Sequence, residues 1–93
     1  MFYIVLRQNL WPRSEWPPDL LKAHLAWADQ EYQARSLILS GPADNKSGGI
    51  YLIKSDDLNA AKSIADRDPI ISGGFCSYHI HDWDIQRGAD LLS

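Results

Sequence analysis

Apolar and polar positions divide the chain into short regular segments. Phe2-Tyr3-Ile4-Val5-Leu6 is a continuous β-branched and aromatic run, which predicts a strand buried on both faces. Three prolines between positions 11 and 18 (Pro12, Pro17, Pro18) mark a loop, and Pro17-Pro18 leads into a helix because proline suits a first turn. From about Asp19 to Gln33 the apolar residues Leu20, Leu21, Leu25, Ala28 and Tyr32 recur at spacings of three and four, which predicts an amphipathic helix. His24 lies one turn after Leu20 and one turn before Trp27 and Ala28, on the stripe that faces the protein. Asp29, Gln30 and Glu31 suit the solvent side.

Leu37-Ile38-Leu39 predicts a second strand and Ile50-Tyr51-Leu52-Ile53 a third, joined as a hairpin by the turn-rich segment from Pro42 to Gly49. Ser55 or Asp56 can cap the next helix, whose apolar residues Leu58, Ala61, Ile64 and Ala65 keep helical spacing to about Asp66. Asp68-Pro69 stops it, because the residue before proline resists the helical region. After the Gly73-Gly74 hinge, Phe75 to Ile85 predicts a last strand, with Tyr78 and Ile80 on one face and His79 and His81 on the other. The order β-α-β-β-α-β predicts an α+β, ferredoxin-like subunit: an antiparallel sheet with both helices on one face. Residues 1–85 form the domain and residues 86–93 a C-terminal tail. Apolar strands imply that the bare sheet face is covered as well, and we infer a homodimer in which two sheets pack face to face.

Composition narrows the function classes. The chain has 93 residues, 45% hydrophobic and 23% charged, with four Trp, four Tyr and two Phe. That suits one small soluble domain whose stability margin would gain from dimerisation. No apolar run approaches the roughly 18 residues of a membrane helix. The net charge is −3, and the basic residues are spread from Arg7 to Arg87 without clustering, so no nucleic-acid footprint is expected. The N-terminus has no basic segment ahead of an apolar one, and the single Cys76 cannot form an intrachain disulfide. Together these predict a cytoplasmic protein.

Candidate chemistry is sparse. His24 beside Trp27 suits proton transfer near neutral pH, or equally a core histidine bonded to a carbonyl. Asp68 could orient a histidine, or could pair with Arg67 or its own backbone. Ser40 and Gly41, with Pro42, could hold a substrate oxygen at a strand end, or form an ordinary turn. Gly48-Gly49 is not a phosphate loop, because no Lys-Ser/Thr follows and a strand comes next. His79 and His81, with Asp82 and Asp84 nearby, resemble a metal pair, but spacing fixes no third ligand, so solvent-facing strand residues are the better reading and no metal is expected. Cys76 has no basic neighbour to activate it and reads as a packing residue.

The segments Phe2-Tyr3-Ile4-Val5, His24-Leu25-Ala26-Trp27, Ser40-Gly41-Pro42, Gly48-Gly49, Asp68-Pro69 and the strand from Gly74 to Trp83 together resemble the YciI-like (YCII-related domain) family, over about residues 1–85. The resemblance implies a dimeric α+β barrel similar in architecture to muconolactone isomerases, with His24 and Asp68 as the active-site pair and Ser40 to Pro42 beside the pocket. Some relatives act as dehydrochlorinases on chlorinated hydroxyquinones. Leu21 departs from an arginine common in the family, which argues against an anionic substrate. Ile70 replaces an aromatic after Asp-Pro, and Trp27 a tyrosine; both reshape walls and leave the pair in place.

Two readings follow. In the first, His24 is a general base on a small cyclic or carbonyl substrate, Asp68 fixes its tautomer, Ser40 or the backbone near Gly41 donates to the developing oxyanion, and Trp27, with Trp16, forms an apolar wall. The reaction is an elimination, isomerisation or lyase step that needs no cofactor. In the second, the chain is a non-catalytic ligand-binding or interaction dimer, and the same pair closes the helix layer on the sheet.

Overall fold

The computed structural model describes residues 1–92; Ser93, the last residue of the expected tail, lies outside the described residues. The elements run β1 (Phe2–Asn9), α1 (Leu20–Gln33), β2 (Leu37–Ala43), β3 (Gly48–Lys54), α2 (Leu58–Asp66), α3 (Pro69–Ser72) and β4 (Cys76–Asp82), with short 3-10 turns at Arg13–Glu15 and Ala89–Leu92. The strands pair in the order β2-β3-β1-β4, antiparallel throughout. This is the α+β, ferredoxin-like arrangement. No helix among the described residues is long and apolar enough to cross a membrane.

The helices cover one face of the sheet. Tyr3, Val5, Leu37, Tyr51 and Ile53 from the strands share a buried cluster with Trp27, Ala61, Ile64 and Ala65 from the helices. A second cluster joins Trp16, Ile70 and Cys76 at the far end of β1. Strand β1 alternates rather than being buried on both sides: Tyr3, Val5 and Arg7 are buried, whereas Leu6 is 40% exposed on the open face. Its run of apolar residues hides a period of two, because the open face is apolar as well. The strand also reaches Asn9, since Gln8 pairs with both Gly48 and Ser77 and Asn9 pairs with Cys76.

Several boundaries differ from expectation for local reasons. The prolines precede α1 instead of opening it; Asp19 is the N-cap, and the Leu20 N–H donates to the Pro17 carbonyl. Glu31 is buried, not solvent-facing, while Leu25 and Tyr32 are exposed. Glu31 is buried because Ser36 and Arg67 bond its carboxylate. The hairpin turn is Asp44 to Ser47, with positive φ at Asp44, Asn45 and Lys46, so Gly48 and Gly49 belong to β3. Asp57, rather than Ser55 or Asp56, caps α2 by accepting from the Ala60 N–H. Asp68-Pro69 both ends α2 and starts α3, with proline at a first-turn position. Strand β4 stops at Asp82, where its partner β1 begins. Leu91 and Leu92 line a cleft of about 490 Å³ with Tyr32, Leu37 and Leu39, where none of the described lining residues is a histidine, Asp or Glu.

Candidate active site

Asp68 sits at the joint of α2 and α3, where the residue before a proline is held extended (φ −64°, ψ 121°). That turns its side chain inward, and it is fully buried. Three donors meet the carboxylate. His24 Nδ1 lies 2.8 Å from Oδ1 and 3.0 Å from Oδ2. The Tyr51 hydroxyl donates to Oδ2 at 2.7 Å, and the Ile70 N–H to Oδ1 at 3.2 Å. A carboxylate only accepts, so the proton between the two side chains sits on His24 Nδ1, and Nε2 is the basic nitrogen of the neutral ring.

Two aromatic rings also pack on the histidine. Its ring stacks on Trp27 at 5.8 Å and on Tyr51 at 6.3 Å between centroids. Trp27 is tied to α2, its indole N–H donating to the Ile64 carbonyl at 3.2 Å. Burial, and next the charge of Asp68, push the Tyr51 hydroxyl far above the usual phenol range, so it remains a donor at any physiological pH.

His24 opens onto a cavity of about 340 Å³ between α1 and the sheet. Ser40 and Gly41, with Pro42, form its rim on β2, which runs on through them to Ala43 instead of ending after Leu39, because each pairs with β3. Leu21, Leu25 and Ala28 form the apolar wall from α1. Trp27 does not line the cavity. It stands behind His24 in the core, because the helix turns it toward Tyr51 and Ile64. Trp16 is likewise withdrawn, buried with Ile70 and Cys76 and bonded to the Trp11 carbonyl.

Three lining residues escaped the sequence reading: Arg7, Arg13 and Tyr51. Arg7 and Tyr51 were accessible through strand alternation, since each shares its face with apolar core residues, Val5 and Ile53 respectively. The fixed positive charge that Leu21 lacks is therefore present after all, carried in from β1 and the loop that follows it. The argument against an anionic substrate falls with that finding.

The remaining candidates lie elsewhere. His79 and His81 are exposed on the open face of β4, beside Leu6 and Ile4 of β1. Among the described residues no three His, Cys, Asp or Glu side chains converge as a metal site would require. Cys76 is buried, its thiol donates to the Asn9 side chain at 3.3 Å, and burial pushes its pKa up, which suits packing.

Residues 1–84 match the YCII-related domain. The uncharacterized protein YjpA of Bacillus subtilis (strain 168) is 28% identical over 64 residues, which span 69% of this chain and 75% of YjpA. Among solved structures, 5-chloro-2-hydroxyhydroquinone dehydrochlorinase (TftG) from Burkholderia phenoliruptrix AC1100, in complex with 2,5-dihydroxybenzoquinone, superposes with a TM-score of 0.66. It is 18% identical, and the match covers 90% of this chain and 94% of that one, so the likeness is one of fold. With its family match running from the first strand to just past the last, the chain belongs to the YCII-related domain family.

Proposed function

We propose that this protein is a small acid–base enzyme in which His24, held by Asp68, moves a proton on a single-ring or small carbonyl substrate. One observation carries the reading: a histidine whose Nδ1 is bonded to a buried carboxylate and whose ring opens on a cavity beside it. In the proposed step Nε2 takes a proton from a hydroxyl or from carbon next to a carbonyl. Asp68 supports the imidazolium. The proton then returns to another atom of the substrate in an isomerisation, or a leaving group departs with its electron pair in an elimination. Ser40 on the rim, or the backbone near Gly41, would donate to the oxygen that gains charge. These residues can carry such proton transfers themselves.

Size supports the substrate class. An apolar cavity of about 150 Å³ already accepts benzene, so about 340 Å³ suits one substituted ring. TftG, which shares the fold, is a dehydrochlorinase bound to a hydroxylated quinone. We further propose that the active form is a homodimer, its open sheet faces packed together, because Leu6, Leu39 and Ile50 are exposed there.

The test is a screen of chlorinated hydroxyquinones and enolisable cyclic ketones, run on the parent and on His24→Ala. Turnover in the parent that vanishes in a folded His24→Ala protein supports the reading. Turnover unchanged by the substitution overturns it. Asp68 also caps α3, which favours a purely structural pair as the second reading. A stable, folded Asp68→Asn protein with lost turnover would set that second reading aside.

A further inference from the structure

Proton transfer at His24 makes no use of the Arg7 guanidinium, yet the fold goes to some length to place it. Arg7 projects from the helix-facing side of β1 and is only 5% exposed. Its Nη2 donates to the Gly48 carbonyl at 2.8 Å. Its Nε and Nη1 are buried with no hydrogen-bond partner among the described residues. Native proteins rarely leave buried donors unmet, and least of all on a permanent cation.

The strand beneath is cut away for it. A Cβ on Gly49 would stand 2.5 Å from Nη2, 2.8 Å from Cζ and 2.9 Å from Nε of Arg7. A Cβ on Gly48 would stand 2.5 Å from the Arg7 carbonyl oxygen. The glycine pair of β3 is thus a seat for Arg7, and Tyr51 flanks it, its ring centroid 5.8 Å from Cζ. A guanidinium held this way is placed before any ligand arrives.

Charge balance gives the sign of the ligand. The cavity also takes in Arg13, which lies over the Trp16 ring and whose buried Nε has no hydrogen-bond partner among the described residues. Neither arginine forms an ion pair among the described residues. Asp68, which holds the cavity's His24 and Tyr51, already accepts from His24, Tyr51 and Ile70. Among the described residues the cavity lining holds two arginines and no carboxylate, in a chain of net charge −3.

We propose that Arg7 is an anion anchor, and that the molecule bound in this cavity is a ring bearing an ionised oxygen substituent, a carboxylate or a phenolate. The inference deepens the reading of the cavity as a substrate site and rests on it. Arg7 and His24 both neighbour the Tyr51 ring, so an oxygen held by Arg7 leaves the rest of a small ring within the volume that His24 faces.

The experiment is a titration of the full chain, followed by amide NMR shifts, with benzoate, para-nitrophenolate and neutral benzamide. Benzoate or nitrophenolate should bind at millimolar concentration and benzamide roughly tenfold more weakly or not at all, with shifts centred on Arg7, Gly49 and Tyr51. Whichever anion binds more tightly identifies the substituent. Arg7→Met should erase the preference for the anion, Arg7→Lys should keep part of it, and Gly49→Ala should weaken it by displacing the guanidinium. Equal binding of benzoate and benzamide by the parent overturns the proposal, and so does no binding of either anion. If Arg7→Met does not fold, the comparison of charged and neutral probes on the parent, together with Gly49→Ala, still decides. His24→Gln separates the two readings. Anion binding retained in a variant whose turnover is unchanged rejects the acid–base role and keeps the anchor; anion preference absent while turnover depends on His24 does the reverse.

Discussion

Tyr51, in the middle of β3, donates its hydroxyl to Asp68 at 2.7 Å, and both side chains are buried where the carboxylate also meets His24. The sheet thus takes part in orienting the histidine, through a residue that is otherwise core. Tyr51→Phe keeps the ring and its stacking while removing one donor from a buried charge. The expected loss is roughly 1.5–3 kcal/mol, the range for hydrogen bonds to charged groups. Urea denaturation of the two proteins measures it. A change within a few tenths of a kcal/mol would show that the bond contributes nothing to stability.

Asp68 fixes which nitrogen of His24 carries the proton. In the parent, ¹⁵N shifts of the neutral ring should report Nδ1–H with Nε2 unprotonated. Asp68→Asn replaces an acceptor by a group that can offer either an oxygen or an N–H, so the tautomers should mix. The same protein should lose stability, because Tyr51 and the Ile70 N–H then compete for a single carbonyl oxygen. Identical ring shifts in the two proteins would mean that the carboxylate does not set the tautomer.

The order of elements and the extent of α1 were legible because each rests on local chemistry, whereas the pairing of His24 with Asp68, 44 residues apart, was implied only by the family resemblance. Spacings of three and four place His24 inward, and Asp68-Pro69 marks the end of α2, although the short α3 that Asp68 also caps was not foreseen. What stayed hidden depends on strand register, which local pattern does not supply. Alternation gives the face of Arg7, but only the register that sets Gly49 opposite it shows the space its guanidinium fills. The two glycines read as a turn until their missing side chains are seen to be occupied by that arginine. Glu31 reads as surface until Arg67, from another helix, reaches it. Trp27 was expected in the pocket wall because helical spacing gives a face but not the depth along it.

Glu31 should make the fold acid-sensitive. Burial pushes its pKa up, but the hydrogen bond from Ser36 and the hydrogen bond and charge of Arg67 outweigh that and hold it below the usual value. A carboxyl lowered in the folded state stabilises the fold above its unfolded pKa, near 4.3, and loses that contribution as pH falls through the lowered folded value. Glu31→Gln should therefore cost about 1 kcal/mol at neutral pH, the exposed Arg67 being screened by solvent. The gap between variant and parent should close below about pH 4. Denaturation midpoints across that range test it, and a gap independent of pH would assign the loss to packing.

The open face of the sheet should decide the oligomeric state. Leu6, Leu39 and Ile50 are 40%, 57% and 45% exposed, and Leu6 and Ile50 stand opposite each other across β1 and β3. A sheet face left apolar in a chain this short gains stability when a second copy covers it, and a two-fold interface sets each residue near its own symmetry mate. Ile50→Glu then places two carboxylates in one apolar layer and should dissociate the dimer, while the helix-facing core, including Tyr51 and Ile53, keeps its packing. Light scattering should find the parent at twice the mass of Ile50→Glu, with similar circular dichroism for both. The parent's melting temperature should rise with protein concentration and the variant's should not. A monomeric parent would overturn the proposed dimer, and a dimeric Ile50→Glu protein would move the interface to another surface.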